Sequence, residues 1–228
     1  MQIFKYMVKL KTDISYSSSF LGNYFCEIKN YNLAFVAISK NAVTYLRSLA
    51  IYAKTGYIIK EEDTIHEWTG NNPSNGYLYP IADYKQNRGK NIIKFAVWRD
   101  PVERLVSCYK YFCLERWYRH YFYYLDLYKD PSFDHFMQFV RFELGKSDPL
   151  SQDEHIRKQT DFYSSSDVDF IVPIHKLNTF LENYNIPLID TAKNSTHIKF
   201  QLKDEEYLNE IRHLYRDDYE LPRLANFI

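Results

Sequence analysis

Residues 94–109, KFAVWRDPVERLVSCY, constrain the fold more than any other stretch, because an apolar strand runs straight into a helix whose start is chemically fixed. Asp100 is a good N-cap, Pro101 suits the first helical position, and Glu103 completes an Asp-x-x-Glu variant of the capping box. The helix is therefore predicted to begin at Pro101. Its apolar positions Val102, Leu105, Val106 and Tyr109 repeat at i, i+3, i+4 and i+7, which leaves Arg104 and Ser107 off the stripe. Arg99 sits at the seam. An arginine beside free helix N–H groups and the positive end of the helix dipole makes a place for an anion such as phosphate. An ordinary strand-to-helix junction, with Arg99 paired to a carboxylate, fits the same pattern.

A similar unit lies upstream. Residues 33–38, LAFVAI, are continuously apolar, as expected of a parallel strand covered on both faces. Ser39, Lys40 and Asn41 then form a short loop, and Val43, Leu46 and Ala50 mark an amphipathic helix that Gly56 is placed to end. Such a loop can offer backbone N–H groups and one ammonium to a phosphate or sulfate group. The Walker pattern G-x-x-x-x-G-K-[ST] is absent, so any nucleotide site here differs from that of ordinary ATPases and GTPases. Taken alone, Lys40 reads equally well as a solvated loop lysine.

Elsewhere the chain alternates in kind. Residues 1–32 form a loosely specified lead-in with room for one short strand. Residues 64–68, which hold His66, read as a short strand, followed by the loop GNNPSNG at 70–76. His66-Glu67 lacks a second histidine four residues on, so a zinc site of the H-E-x-x-H kind is not met. A histidine at a strand end can serve as a general base or be purely structural. Residues 117–128 are densely aromatic, which suits core packing or a stacking platform for sugars or bases. Ser132 caps a further helix that ends at Gly145, residues 151–163 read as a solvated turn, and residues 168–174 read as a strand followed by a helix. A final helix is predicted over 205–219.

Alternating strands and helices give one α/β domain of three layers around a mostly parallel central sheet. In such sheets ligands sit at the carboxyl ends of the strands. Lys40, His66 and Arg99 all follow or end predicted strands, so one sheet edge can gather them. Lys plus Arg and Asp plus Glu balance at 29 each, which removes the global field that would draw nucleic acid or anionic lipid. Any anion site must be local. Cys26, Cys108 and Cys113 form no C-x-x-C pair and no disulfide framework, so a reducing compartment is expected. The N-terminal residues contain no apolar span near the ~20 residues that cross a bilayer.

Three segments carry a resemblance. Residues 39–46, SKNAVTYL, are similar to the 5′-phosphosulfate loop P-K-x-[AG]-x-[ST]-x-[LF], with Ser39 in place of proline. Residues 99–109, RDPVERLVSCY, match R-D-P-x-x-R-x-x-S-x-Y at every fixed position. Residues 153–160, DEHIRKQT, look like D-E-H-W-x-P-Q with Ile156 and Lys158 as departures. Together with Asn194-Ser195-Thr196 and the Tyr215–Tyr219 region, these make residues 33–219 resemble the sulfotransferases that use 3′-phosphoadenosine-5′-phosphosulfate (PAPS). Among these the resemblance is to the carbohydrate branch, related to the chondroitin and heparan sulfate enzymes.

That resemblance implies a P-loop-NTPase-like sulfotransferase fold and transfer of a sulfuryl group to an acceptor hydroxyl, with a sugar in a polysaccharide, glycolipid or glycoconjugate as the expected partner. It implies that Lys40, with Asn41, Ala42, Val43 and Thr44, holds the 5′-phosphosulfate, that Arg99 and Ser107 hold the 3′-phosphate, and that Ser195 closes the site. His66 is the expected base and Lys40 the expected transition-state cation, with His155 and Glu67 as alternative bases. No metal is required, and the setting expected is cytoplasmic and bacterial, unlike the membrane-anchored Golgi enzymes of the branch. A kinase-like nucleotide enzyme and a non-catalytic glycan- or nucleotide-binding relative are the competing readings.

Overall fold

A computed structural model describes residues 23–59, 61–69, 76–87, 91–115, 131–190 and 198–228. Five strands form one sheet: β1 (Tyr24–Ile28), β2 (Leu33–Val36), β3 (Leu78–Pro80), β4 (Ile93–Trp98) and β5 (Phe170–Pro173), in the order β3-β1-β2-β4-β5. β2 runs parallel to β4 and β4 parallel to β5, whereas β1 is antiparallel to both β2 and β3. Every strand except β1 therefore points the same way. The continuous apolar run of β2 is explained by its place: all four of its residues are buried, between β1 on one side and β4 on the other. At the β5 edge, the C-terminal residues make a parallel bridge from Phe227 to Ile171 and cover part of the open ladder.

Helices cover both faces. α1 (Val43–Thr55), α2 (Glu62–Thr69) and α6 (Leu177–Asn183) pack on the face that carries Cys26, Leu33, Phe35, Phe95, Val97 and Val172. α3 (Ile81–Asn87) and the turns holding Phe162, Tyr163 and Leu221 cover Phe25, Ala34, Val36, Ala96 and Ile171 on the other. The alternation of these residues along β1, β2 and β4 follows from the two-residue period of a strand. A third cluster joins α4 (Pro101–Tyr109), the π-turn Lys110–Leu114, α5 (Phe133–Leu144) and α7 (Glu205–Leu214).

The predicted helix starts hold. Asp100 accepts hydrogen bonds from the N–H groups of Val102 and Glu103 at 2.9 and 3.2 Å, with Pro101 in the first turn. Asp100→Ala is expected to lower stability by about 1 kcal/mol, read as a fall in the urea midpoint. Gly56 closes α1 in the left-handed conformation at φ 77, its N–H bonded to Tyr52 O, and Ser132 caps α5.

Three expectations fail. Residues 64–68 are not a strand, because they lie within α2, where Ile65 and Thr69, one helical turn apart, are both buried. The final helix stops at Leu214, because Tyr215 leaves the helix and sends its hydroxyl to Ile156 O at 2.6 Å. Residues 151–163 are no solvated turn, since Ile156, Arg157, Gln159, Phe162 and Tyr163 are all buried. Most of the loop at 70–76 and all of the aromatic stretch at 117–128 lie outside the described residues.

Candidate active site

The parallel pairing of β2 and β4 sets their outgoing loops side by side, and the two candidate cations meet there. Arg99 donates from Nη1 to the carbonyl oxygen of Lys40 at 2.9 Å. Lys40 and Ala42 both hold left-handed backbone at φ 67 and φ 60, a conformation that costs a non-glycine residue of order 1–3 kcal/mol and persists only where its surroundings enforce it. Those surroundings are visible. The side chain of Asn41, between them, donates to Val97 O and to Gln159 Oε1, each at 2.6 Å.

The two helix N-termini differ in a way that matters chemically. At α4 the carboxylate of Asp100 already occupies the first N–H groups. At α1 the N-cap is Ala42, which offers no side-chain acceptor. The end of α1 without a side-chain cap, beside Lys40, is therefore the one suited to an external anion. The Lys40 ammonium lies 3.4 Å from the centroid of the Tyr111 ring, which the π-turn after α4 presents to it.

Arg99 is desolvated. Burial lowers its pKa from the ordinary guanidinium value, with nearby Cys108 and Glu103 opposing the shift, and the Glu103 carboxylate stands 3.9 Å from Nε. Nε itself is buried without a hydrogen bond among the described residues. A guanidinium in this state gains from an oxyanion more than a hydrated one does. Ser107 is half-buried, about 9 Å further along the α4 axis than Pro101.

A buried polar hub fixes the seam. The Gln159 amide accepts from the Arg99 N–H at 3.0 Å and donates to Arg99 O at 2.9 Å, pairing with that peptide as a neighbouring strand would. Asp218, fully buried, accepts from the backbone N–H and Nε2 of Gln159 at 3.0 and 3.2 Å and from the N–H and hydroxyl of Thr160 at 3.0 and 3.2 Å. Because Asp218 takes the donor side of the Gln159 amide, Oε1 is turned toward Asn41 and Arg99. Arg104, off the apolar stripe of α4, donates to three carbonyl oxygens: Ser39 at 3.2 Å, Arg157 at 2.8 Å and Glu154 at 3.1 Å. It is 1% exposed and ties the loop before α1 to residues 154–157.

Of the candidate bases, His66 sits on α2, where Arg47 Nη1 contacts its Nδ1 at 2.8 Å. Glu67 is exposed on the same helix. His155 lies against the seam, its Nδ1 3.0 Å from Asp153 Oδ1 and its ring edge-on to Phe112. Glu154 accepts from the Ser39 hydroxyl at 2.9 Å. Ser195 lies outside the described residues. Gln159, Asp218 and Tyr111 are the site residues that sequence reasoning assigned no role. The first two stand within segments quoted for the resemblance, which was the only available signal.

No helix among the described residues is long and apolar enough to cross a membrane. None of the curated proteins and none of the solved structures matches the chain. Residues 23–191 match the sulfotransferase family, a span that takes in β1 through α6 and with them Lys40, Arg99, Ser107 and His155. The chain belongs to the sulfotransferase family.

Proposed function

We propose that the protein transfers the sulfuryl group of PAPS to a hydroxyl of a carbohydrate acceptor. The observation that carries the donor is the seam itself, where an uncapped helix N-terminus with Lys40 beside it is tied to a desolvated Arg99. Two separate anionic ends, a 5′-phosphosulfate and a 3′-phosphate, suit two such cations. Lys40 and the N–H groups of Val43 and Thr44 face the first, Arg99 and Ser107 the second, with Ser195 closing the nucleotide site. Asn41 and Ala42 act through the loop conformation, since the Asn41 side chain is already engaged with Val97 and Gln159.

Bound PAPS supplies an activated sulfuryl group with an anionic leaving phosphate. Negative charge grows on the bridging oxygen as transfer proceeds, so the Lys40 ammonium stabilises the transition state more than the ground state. The acceptor hydroxyl must give up a proton, and a histidine supplies that step. The carbohydrate acceptor rests on the resemblance of residues 99–109 and 153–160 to the carbohydrate branch.

Thermal-shift titration tests the donor site. 3′-Phosphoadenosine 5′-phosphate is expected to raise the melting temperature, and Arg99→Ala to weaken its binding by ten-fold or more, as loss of a charge-assisted bond of about 1.5–3 kcal/mol implies. Stabilisation by ATP in place of this nucleotide would support a kinase-like enzyme. Equal affinity in Arg99→Ala and wild type would exclude the arrangement.

A further inference from the structure

We propose that His155 is the general base that takes the acceptor proton, with Asp153 as its positioning residue; this rests on the sulfuryl-transfer reading above. Asp153 Oδ1 lies 3.0 Å from His155 Nδ1 and also accepts the His155 backbone N–H at 2.9 Å. A carboxylate only accepts, so Nδ1 carries the proton and the lone pair is left on Nε2. Asp153 is itself anchored, its N–H donating to Glu143 Oε2 at 2.7 Å. The histidine cannot swing away easily. Cys108 Sγ donates to His155 O at 3.3 Å, Arg104 holds the carbonyls of Glu154 and Arg157 on either side, and the ring stands edge-on to Phe112 with centroids 5.0 Å apart.

Nε2 faces the seam. It is 4.0 Å from Glu154 Oε1, the oxygen that accepts the hydroxyl of Ser39, the residue before Lys40. The His155 ring also lies 6.4 Å from the Tyr111 ring, centroid to centroid, and Tyr111 carries the Lys40 ammonium on its face. The base and the transition-state cation thus both neighbour one aromatic ring.

His66 has the opposite chemistry. Its Nδ1 meets an arginine, which only donates, so that nitrogen's lone pair is taken and the neutral ring carries its proton on Nε2. The neutral ring has no second lone pair with which to accept a proton.

In the proposed step the acceptor oxygen forms a bond to sulfur as the bond from sulfur to the bridging oxygen of the 5′-phosphate breaks. The electron pair of the broken bond leaves with 3′-phosphoadenosine 5′-phosphate, and the hydroxyl proton passes to His155 Nε2. Asp153 stabilises the imidazolium that forms. The charged and titratable groups around the ring are Asp153 and Glu154 on its own segment, Arg104 and Cys108 on α4, Tyr111 on the π-turn, and Lys40 against the Tyr111 ring.

Three measurements on the full chain test this. Nitrogen-15 NMR should show His155 as the Nδ1–H tautomer and His66 as the Nε2–H tautomer; the reverse pair would overturn the assignment without reference to activity. Turnover, followed as release of radiolabelled sulfate from PAPS to water so that no acceptor need be known, should fall by ~10²–10⁴-fold in His155→Gln while calorimetric affinity for 3′-phosphoadenosine 5′-phosphate is retained. A larger loss in His66→Gln than in His155→Gln would overturn it. In Asp153→Ala the same spectra should no longer show His155 held as the Nδ1–H tautomer while nucleotide affinity is retained; a lower rate with the tautomer unchanged would make Asp153 merely structural. Absence of any nucleotide affinity in the wild type would instead overturn the underlying sulfuryl-transfer reading.

Discussion

Lys40→Ala is expected to lower the rate of sulfuryl transfer by about 10²–10³-fold, the usual effect of removing one donor aimed at developing transition-state charge. The substitution isolates that charge cleanly. Residue 40 has φ 67, and alanine bears the same left-handed penalty as lysine, so the strain of the loop is unchanged. The hydrogen bond from Arg99 goes to the backbone oxygen of residue 40 and survives as well. What is lost is the ammonium over Tyr111, at 3.4 Å from its centroid. Affinity for 3′-phosphoadenosine 5′-phosphate should fall far less than kcat, because in the proposed arrangement Arg99 and Ser107 still hold the 3′-phosphate. Steady-state kinetics beside calorimetry separate the two, and a loss confined to affinity would mean that Lys40 only binds.

Arg104→Met should reduce stability by about 3–5 kcal/mol, read as a lower urea midpoint at constant slope. The change leaves the buried carbonyl oxygens of Ser39 and Arg157, and the partly buried one of Glu154, without the donor they share. Each such group costs ~1–3 kcal/mol, and partial relaxation keeps the total below the sum. Arg104→Lys should be nearly as damaging, since a single ammonium cannot reproduce the fork of the guanidinium. A loss under about 1 kcal/mol would show that the loop before α1 is held by Asn41 and Gln159 alone.

The local signals in the sequence were those that depend on neighbours along the chain. Asp100 and Pro101 announced α4, Gly56 ended α1, and the unbroken apolar run of β2 gave a strand buried on both faces. The approach of Lys40 to Arg99 was legible too, because strand-loop-helix units in a parallel sheet must deliver their loops to one edge. What stayed hidden depends on partners far away. Gln159 and Asp218, 59 residues apart, look like solvated polar residues until the fold buries both and lets each satisfy the other. Residues 64–68 carry β-prone side chains but follow acidic residues, which favour a helix start. His66 accordingly lies on α2 in contact with Arg47 and not at a strand end. His155 stood in a stretch that composition presents as exposed, and only the fold shows it wedged between Asp153 and Phe112.

The most direct test of sulfuryl transfer is incubation of the full chain with radiolabelled PAPS and a panel of desulfated glycosaminoglycans, followed by counting of label in the polysaccharide. The account predicts label in at least one polysaccharide, stoichiometric release of 3′-phosphoadenosine 5′-phosphate, and loss of both in Lys40→Ala. A protein that binds this nucleotide yet leaves PAPS intact, with no label in any acceptor and none released to water, would contradict it.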